Sequence, residues 1–343
     1  MVKLKDIGEH ELLKIINQYC DYGEACDRNH QGDDAAILDI GNQQKLVVTT
    51  DILVENVHFS DRTTPPHSIG YRAVTANLSD IAAMGAEPLG ITVGLSLRGD
   101  VEVSWVEQLY QGMQQCLQPY DISIIGGDVT RSQVNTIAIT ALGQVQPQNI
   151  IYRHQAQVGD VILITGNHGL SRAGLELLLY PEKYRQISSE IKTILISSHQ
   201  YPQPRLDIIK QLYQQLANLS INQTDHFVIA GIDSSDGLAD AIMQICQQSK
   251  VGAKINLAQI QISPEILAIT DYNTAIEWTL YGGEDFELVL CLPEKIAQYL
   301  LQIFPDDCQV IGEITATENI AIINPLDNSP QLLLNQKKTF QHF

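Results

Sequence analysis

The chain has 343 residues, enough for two domains of ordinary size, and its 44% hydrophobic and 18% charged residues supply a core and exclude general disorder. Forty Asp and Glu against 21 Lys and Arg give a formal net charge of −19. That balance argues against a duplex nucleic-acid binder, which must displace counterions with cations, and against docking on an anionic membrane. A phosphate ligand stays open, because bound divalent metals invert the local field.

The charged start Met1-Val-Lys-Leu-Lys-Asp leads into no secretory apolar segment. No apolar run approaches the ~18 residues of a membrane span. Cys20, Cys26, Cys116, Cys246, Cys291 and Cys308 form no C-x-x-C pair, and several sit in apolar stretches. They read as reduced thiols of a cytoplasmic protein rather than a disulfide or zinc framework.

In chain order, Leu12, Leu13, Ile16 and Tyr19 make a helical stripe over Glu9–Tyr19. Ala35–Ile40 and Lys45–Thr50 read as strands joined by a turn at Gly41-Asn42. His67–Met84 reads as a helix stopped by Gly85 and Pro88. A strand over Leu89–Leu97 follows. Ser104 opens a helix to about Leu117, with Glu107 as capping-box partner. Ile122–Ile125 and Thr136–Val145 are strands. Turn-like sequence over 146–160 marks a domain boundary.

Beyond it, Val161–Thr165 is a buried strand, and Gly166-Asn-His-Gly169 turns into a helix reaching Leu179. Helical segments are expected near 188–198 and 204–218, a strand at Val228–Ile232, a helix at Asp236–Gln248 and a strand at Ala253–Leu257. Glu287–Leu292 and Gln309–Ile314 are the remaining strands. Helices and strands mix without regular βαβ alternation, which points to two α+β halves.

The acids are not evenly spread. Short clusters hold Asp33, Asp34, Asp51, Asp80, Asp128, Asp233, Asp236, Glu284 and Asp285, most beside glycine. With Asp240 these are ten acids; without them thirty acids face 21 bases. Singly, each cluster reads as well as a turn, and Asp236 as a helix cap. Together, carboxylates converging without cations repel, and metal is the physical remedy. Asp with Thr hydroxyls is a hard oxygen set suited to Mg²⁺, which usually shares its shell with substrate phosphates. No Walker A loop or protein-kinase motif set is present.

In order along the chain stand Gly-Asp-Asp-Ala-Ala (32–36), Thr-Thr-Asp (49–51), Val-His-Phe (57–59) and Asn-Leu-Ser-Asp-Ile-Ala-Ala-Met-Gly-Ala (77–86). Gly-Gly-Asp (126–128), Ser-Asp-Gly-Leu (235–238) and Gly-Gly-Glu-Asp-Phe-Glu (282–287) follow. This series resembles the thiamine-monophosphate kinases, of the superfamily that includes aminoimidazole ribonucleotide synthetase and selenophosphate synthetase. The resemblance spans essentially the whole chain.

It implies an α+β fold of two α/β-sandwich domains. Residues 1–152 would carry the metal and ATP sites and the dimer contact, and 153–343 would complete the active site. The implied reaction is in-line phosphorylation of thiamine monophosphate to thiamine diphosphate by ATP, with several Mg²⁺ ions, in a homodimer. Carried over by motif, Asp34, Thr49, Thr50, Asp51, Asp80, Asp128, Asp233 and Asp236 are implied metal ligands, with Asp51, Asp80 and Asp128 foremost for catalysis. Tyr110, Gly127, Asp128, Arg153 and Ser235 are implied along the nucleotide, and His58 and Glu284 at the thiamine phosphate.

The family's usual aromatic-Lys-Gly-Tyr-Asp-His-Phe ending reads Lys337-Lys338-Thr339-Phe340-Gln341-His342-Phe343 here, so the resemblance puts Lys337 at the substrate-stacking position, or else Phe340 or another residue serves there. Rival readings are another ATP-dependent member of the superfamily or a cation-buffering protein. A selenophosphate synthetase expects a reactive Cys in a Gly-rich N-terminal segment, and a buffer expects D-x-D-x-D-G loops. Neither is evident.

Overall fold

The computed structural model describes residues 33–41, 43–220, 227–323 and 330–334. The expected helix over 9–19, Gly32, Asn42, Cys20, Cys26, Lys337 and Phe340 lie outside them. The first half holds β1 (Ala36–Asp39), β2 (Lys45–Val54), α1 (Pro66–Ala83), β3 (Glu87–Leu97), α2 (Val103–Leu117), β4 (Ile124–Arg131) and β5 (Thr136–Val145). Its five strands lie in the order β1-β2-β5-β3-β4, antiparallel except for β3 beside β4.

Period-two burial explains the layering. Val47 and Leu53 of β2, with Ile137, Ile139 and Ala141 of β5, are buried on one face. α1 packs against that face and against α2. The sequence of α1 is apolar or small almost all round, so nearly its whole length is buried. Its other side meets β7 and β9 of the second half.

The second half holds β6 (Val161–Thr165), α3 (Leu170–Leu179), α4 (Ser189–Gln200), α5 (Leu206–Ser220), β7 (Ala230–Asp233), α6 (Leu238–Ser249) and β8 (Gly252–Asn256). After one helical turn at Pro264–Leu267 come α7 (Tyr272–Tyr281), β9 (Leu288–Leu292), α8 (Glu294–Ile303), β10 (Cys308–Thr315), β11 (Ile320–Ile323) and β12 (Pro330–Leu333). The mixed sheet runs β12-β11-β8-β10-β6-β9-β7.

β6, β7 and β9 read as unbroken apolar runs because both sheet faces are covered. Leu163, Leu288 and Leu290 join one core cluster with α1, α5 and α8, whereas Ile162, Val289 and Cys291 join another with α6. The first cluster is continuous from Ile37 to Cys308 and bridges both sheets.

The structure corrects several expectations. Ser104 falls inside the first turn of α2. Glu102 is the cap residue, no side-chain cap forms, and Ser104 Oγ instead donates to Glu102 Oε2 at 3.1 Å. Pro88 sits within β3, facing Gly143 beside a bulge between Pro88 and Gly90, where strands tolerate proline. Gly126-Gly127-Asp128 lies inside edge strand β4 rather than in a turn. α6 begins after Gly237 (φ 102°), so Asp236 is not its cap. Helices α7 and α8 and strands β11 and β12 were not anticipated.

Candidate active site

The N-terminal residues of the site come from β2 and α1. Thr49, Asp51 and Leu53 point to the covered face of β2, and α1 lies across it with Asn77 and Asp80 three residues apart on one flank. Buried Asn77 accepts the Asp51 N–H on Oδ1 at 3.1 Å and donates Nδ2 to Ala73 O at 2.9 Å. The Thr49 hydroxyl donates to Asp80 Oδ2. From the second half, β7 ends in Asp233, whose carboxylate accepts Ser79 Oγ at 2.7 Å and Ser235 Oγ at 3.0 Å. The Ser79 contact joins α1 of the first half to β7 of the second.

Asp34, Asp80 and Asp233 present ligand atoms within 4.8 Å of one another. Burial pushes Asp80 well above the usual carboxylate range, and Asp51, Asp233 and Asp34 add repulsion. Burial and then Asp34 push Asp51 up to about 6. Burial and then Asp34 push Asp233 up to about 7, against the pull of its serine donors. Asp34 is also raised by burial, despite its ion pair with Arg153. Arg153 is anchored in turn by Gln244 Oε1, and its backbone N–H donates to Asp33 Oδ1 at 2.7 Å.

The cluster fits a hard divalent cation. Its donors are carboxylate oxygens, and Asp34 Oδ2 is buried without a hydrogen-bond partner among the described residues. A bound cation would replace protons the cluster otherwise retains.

The cluster opens on a cleft of about 720 Å³ between the halves. Asp51, Asp80, Asp233, Ser235 and Asp236 give it acidic and hydroxyl lining. Ile52, Val57, Leu175, Tyr281 and Phe286 give it apolar walls, and His58, Arg72 and Glu284 a second polar group. His58 Nδ1 accepts the Val54 N–H at 2.9 Å, which directs Nε2 away from the backbone. Glu284 adopts a left-handed conformation (φ 65°), as does Phe286 (φ 54°). The loop carrying them is held by Glu284 N donating to Ser235 O at 2.7 Å. Asp285 accepts the Gly169 and Ser171 N–H groups at 2.6 and 2.8 Å.

Other motif residues stand apart from this cleft. In register, Asp51 faces Ile139, then Val93, then Gly127, three strand spacings or about 14 Å away. Asp128, one residue on, points to the opposite face. Thr50 is on that outer face too, its hydroxyl 2.8 Å from that of Thr140. Tyr110 packs on the N-terminal core from α2. Sequence reading missed Arg72, Asn77 and Ser79 as site residues. Their signal was polarity inside an otherwise apolar helix.

The N-terminal domain of AIR synthase related proteins matches residues 32–145, and the C-terminal domain of the same family matches 157–324. A thiamine-monophosphate kinase of Synechococcus elongatus is 45% identical over 99% of this chain and 98% of its own. One of Prochlorococcus marinus is 37% identical over 88% and 87%. A solved structure, AaThiL complexed with AMPPCP and TMP, superposes with a TM-score of 0.82 at 29% identity, covering 100% of this chain and 99% of its own.

Proposed function

The chain belongs to the thiamine-monophosphate kinase family of AIR synthase related proteins, and from that premise we propose that it phosphorylates thiamine monophosphate with ATP. The observation that carries the proposal is the cleft, whose single lining brings Asp51, Asp80 and Asp233 of the acidic cluster together with Glu284 and His58.

A phosphate oxygen of thiamine monophosphate attacks the γ-phosphorus of ATP in line. The new P–O bond forms as the bond to the β,γ-bridging oxygen breaks, releasing ADP. The acceptor is already anionic near neutral pH, so no strong general base is needed. The obstacle is repulsion: two like charges ~4 Å apart cost about 4 kcal/mol at an effective dielectric of ~20. Mg²⁺, when bound, supplies the positive charge that offsets this. Asp34, Asp51, Asp80 and Asp233 would hold it, with Asp236 and Thr49 at the margin. Arg153 holds Asp34 in place, while Ser79 and Ser235 orient Asp233. His58 and Glu284 receive the thiamine end.

We place the domain division at 152/153. We also propose a homodimer, supported by β4, which is exposed from Ile125 to Arg131 with Ile125 at 58% and Val129 at 67%. An exposed apolar edge invites a second copy. That copy would cover Gly127 and Asp128 and give them their role beside nucleotide and metal. Sedimentation of the chain as a monomer would remove this part. A cytoplasmic setting is supported by the buried free thiols Cys116, Cys246, Cys291 and Cys308. Among the described residues no helix is long and apolar enough to cross a membrane.

The test is ATP consumption, read as nucleotide release, with thiamine monophosphate as acceptor against formylglycinamidine ribonucleotide and selenide. Release that depends on thiamine monophosphate and Mg²⁺ is expected. Preference for another acceptor overturns the reading.

A further inference from the structure

We propose that Arg72 is a positioning residue for substrate recognition, holding Glu284 and the His58 loop in register across the two halves of the molecule. The inference rests on the kinase reading above and deepens it.

Arg72 lies on α1 and is 1% exposed, yet its guanidinium reaches the cleft. Nη2 is ion-paired with Glu284 Oε1. Nη1 donates to the carbonyl of His58 at 3.2 Å. One planar fork therefore touches both residues assigned to the thiamine end, and it ties a helix of the first half to a loop of the second. Lysine cannot reproduce this, because an ammonium is a point charge without a fixed fork.

The other charged groups nearby are engaged elsewhere. Arg172 pairs with Glu176 at 3.1 Å and lies over the Trp278 ring. His199 is buried, accepts or donates at Ser171 Oγ across 3.0 Å, and stays 4.0 Å from Glu284 Oε2. Burial, and then Arg72 and Arg172, keep His199 well below its usual range and therefore neutral. Arg72 thus sets the Glu284 carboxylate by one oxygen. The other oxygen remains for the substrate, and the Glu284 side chain is 32% exposed to the cleft. A carboxylate so presented suits a cationic, N–H-bearing heterocycle. Glu284 also sits in left-handed backbone, a conformation that persists only where its surroundings over-determine it.

The test measures KM for each substrate, kcat and the melting midpoint in Arg72→Met, Arg72→Lys, Glu284→Gln and the double variant Arg72→Met/Glu284→Gln. Arg72→Met and Arg72→Lys should each raise KM for thiamine monophosphate about tenfold or more, the scale of a lost charge-assisted hydrogen bond, with KM for ATP within about twofold. The double variant should raise KM by clearly less than the product of the two single effects, because the two share the Arg72–Glu284 contact. It should also melt above Glu284→Gln, which leaves a buried guanidinium without its counter-charge. Unchanged KM for thiamine monophosphate in Arg72→Lys, or additive KM effects, overturns the inference while the kinase reading stands. A parent chain without thiamine-monophosphate-dependent ADP release overturns the reading and the inference together. Should Arg72→Met fail to fold, Arg72→Lys decides the matter alone.

Discussion

Asp80 and Ser79 are neighbours on α1 with separable roles. Asp80 lies among Asp34, Asp51 and Asp233 and gives a ligand atom to their cluster, whereas Ser79 acts by donating to Asp233 at 2.7 Å. Losing an outer-shell donor usually costs about 10–100-fold in metal affinity, so Ser79→Ala should weaken Mg²⁺ binding by that order and be rescued by excess Mg²⁺. Asp80→Asn should lose more turnover than Ser79→Ala and recover none of it with excess Mg²⁺. Its metal-free melting midpoint should not fall, because the substitution replaces a carboxyl whose ionisation burial and its acidic neighbours already oppose. Mg²⁺ titrations of turnover and melting in both variants check this, and near-normal Asp80→Asn turnover at saturating Mg²⁺ would refute the assignment. The acids themselves were legible, because clustered carboxylates need a common explanation. Ser79, Asn77 and Arg72 were not, since a polar side chain on a buried helix looks alike in one dimension whether it caps a carbonyl or reaches another domain.

At the scale of elements, α1 and α2 cross where neither can widen. A Cβ on Gly70 would meet Leu109 O at 1.9 Å, and one on Gly112 would meet His67 O at 1.8 Å. Two effects oppose each other in Gly112→Ala. Helix propensity favours Ala by about 1 kcal/mol, but overpacking costs about 1–3 kcal/mol and more when the obstacle is backbone. The clash should win, so Gly112→Ala lowers stability, read as a lower denaturant midpoint with unchanged m-value. A raised midpoint would mean that the helices part freely. Since α1 also carries Arg72, Asn77, Ser79 and Asp80, the variant should lose Mg²⁺ affinity as well. Strands with clean patterns, such as Thr136–Val145 and Val161–Thr165, were legible to the residue. β4 was legible only at its start, Ile124-Ile125, because Gly-Gly-Asp is a good turn sequence and only pairing to β3 continues the strand through it. α7 escaped notice because its sequence, Tyr-Asn-Thr-Ala-Ile-Glu-Trp-Thr-Leu-Tyr, combines modest helix formers with an Asp271 cap that reads equally as a turn.

For the whole molecule, the net charge of −19 is a statement about one interior as much as about the surface. Burial raises Asp51 to about 6, Asp233 to about 7 and Asp285 to about 8, and raises Asp34 and Asp80 as well. Each of these groups holds its proton in the folded chain at a pH where the unfolded chain has released it. Their contribution to stability is therefore fully present below about pH 4 and lost as pH climbs through these folded values. Two buried histidines oppose this lower down. Burial lowers His168 to about 4 and His199 well below its usual range, so they favour folding increasingly as pH rises towards about 6.5. Above that point the raised carboxyls lead among the described residues, and the buried Cys116, Cys246 and Cys308, pushed up to about 12, add the same sign as pH reaches about 9. In chelator, the melting midpoint should fall between about pH 7 and about pH 9. Mg²⁺ binds the deprotonated carboxylates and competes with protons, so its stabilisation should be larger at about pH 8 than at about pH 6. At a hundredfold excess over the dissociation constant, it should reach about 2.7 kcal/mol. Calorimetry with and without Mg²⁺ at both pH values checks the sign. Stabilisation by Mg²⁺ that shrinks as pH rises would mean that the acidic cluster is not where the metal binds.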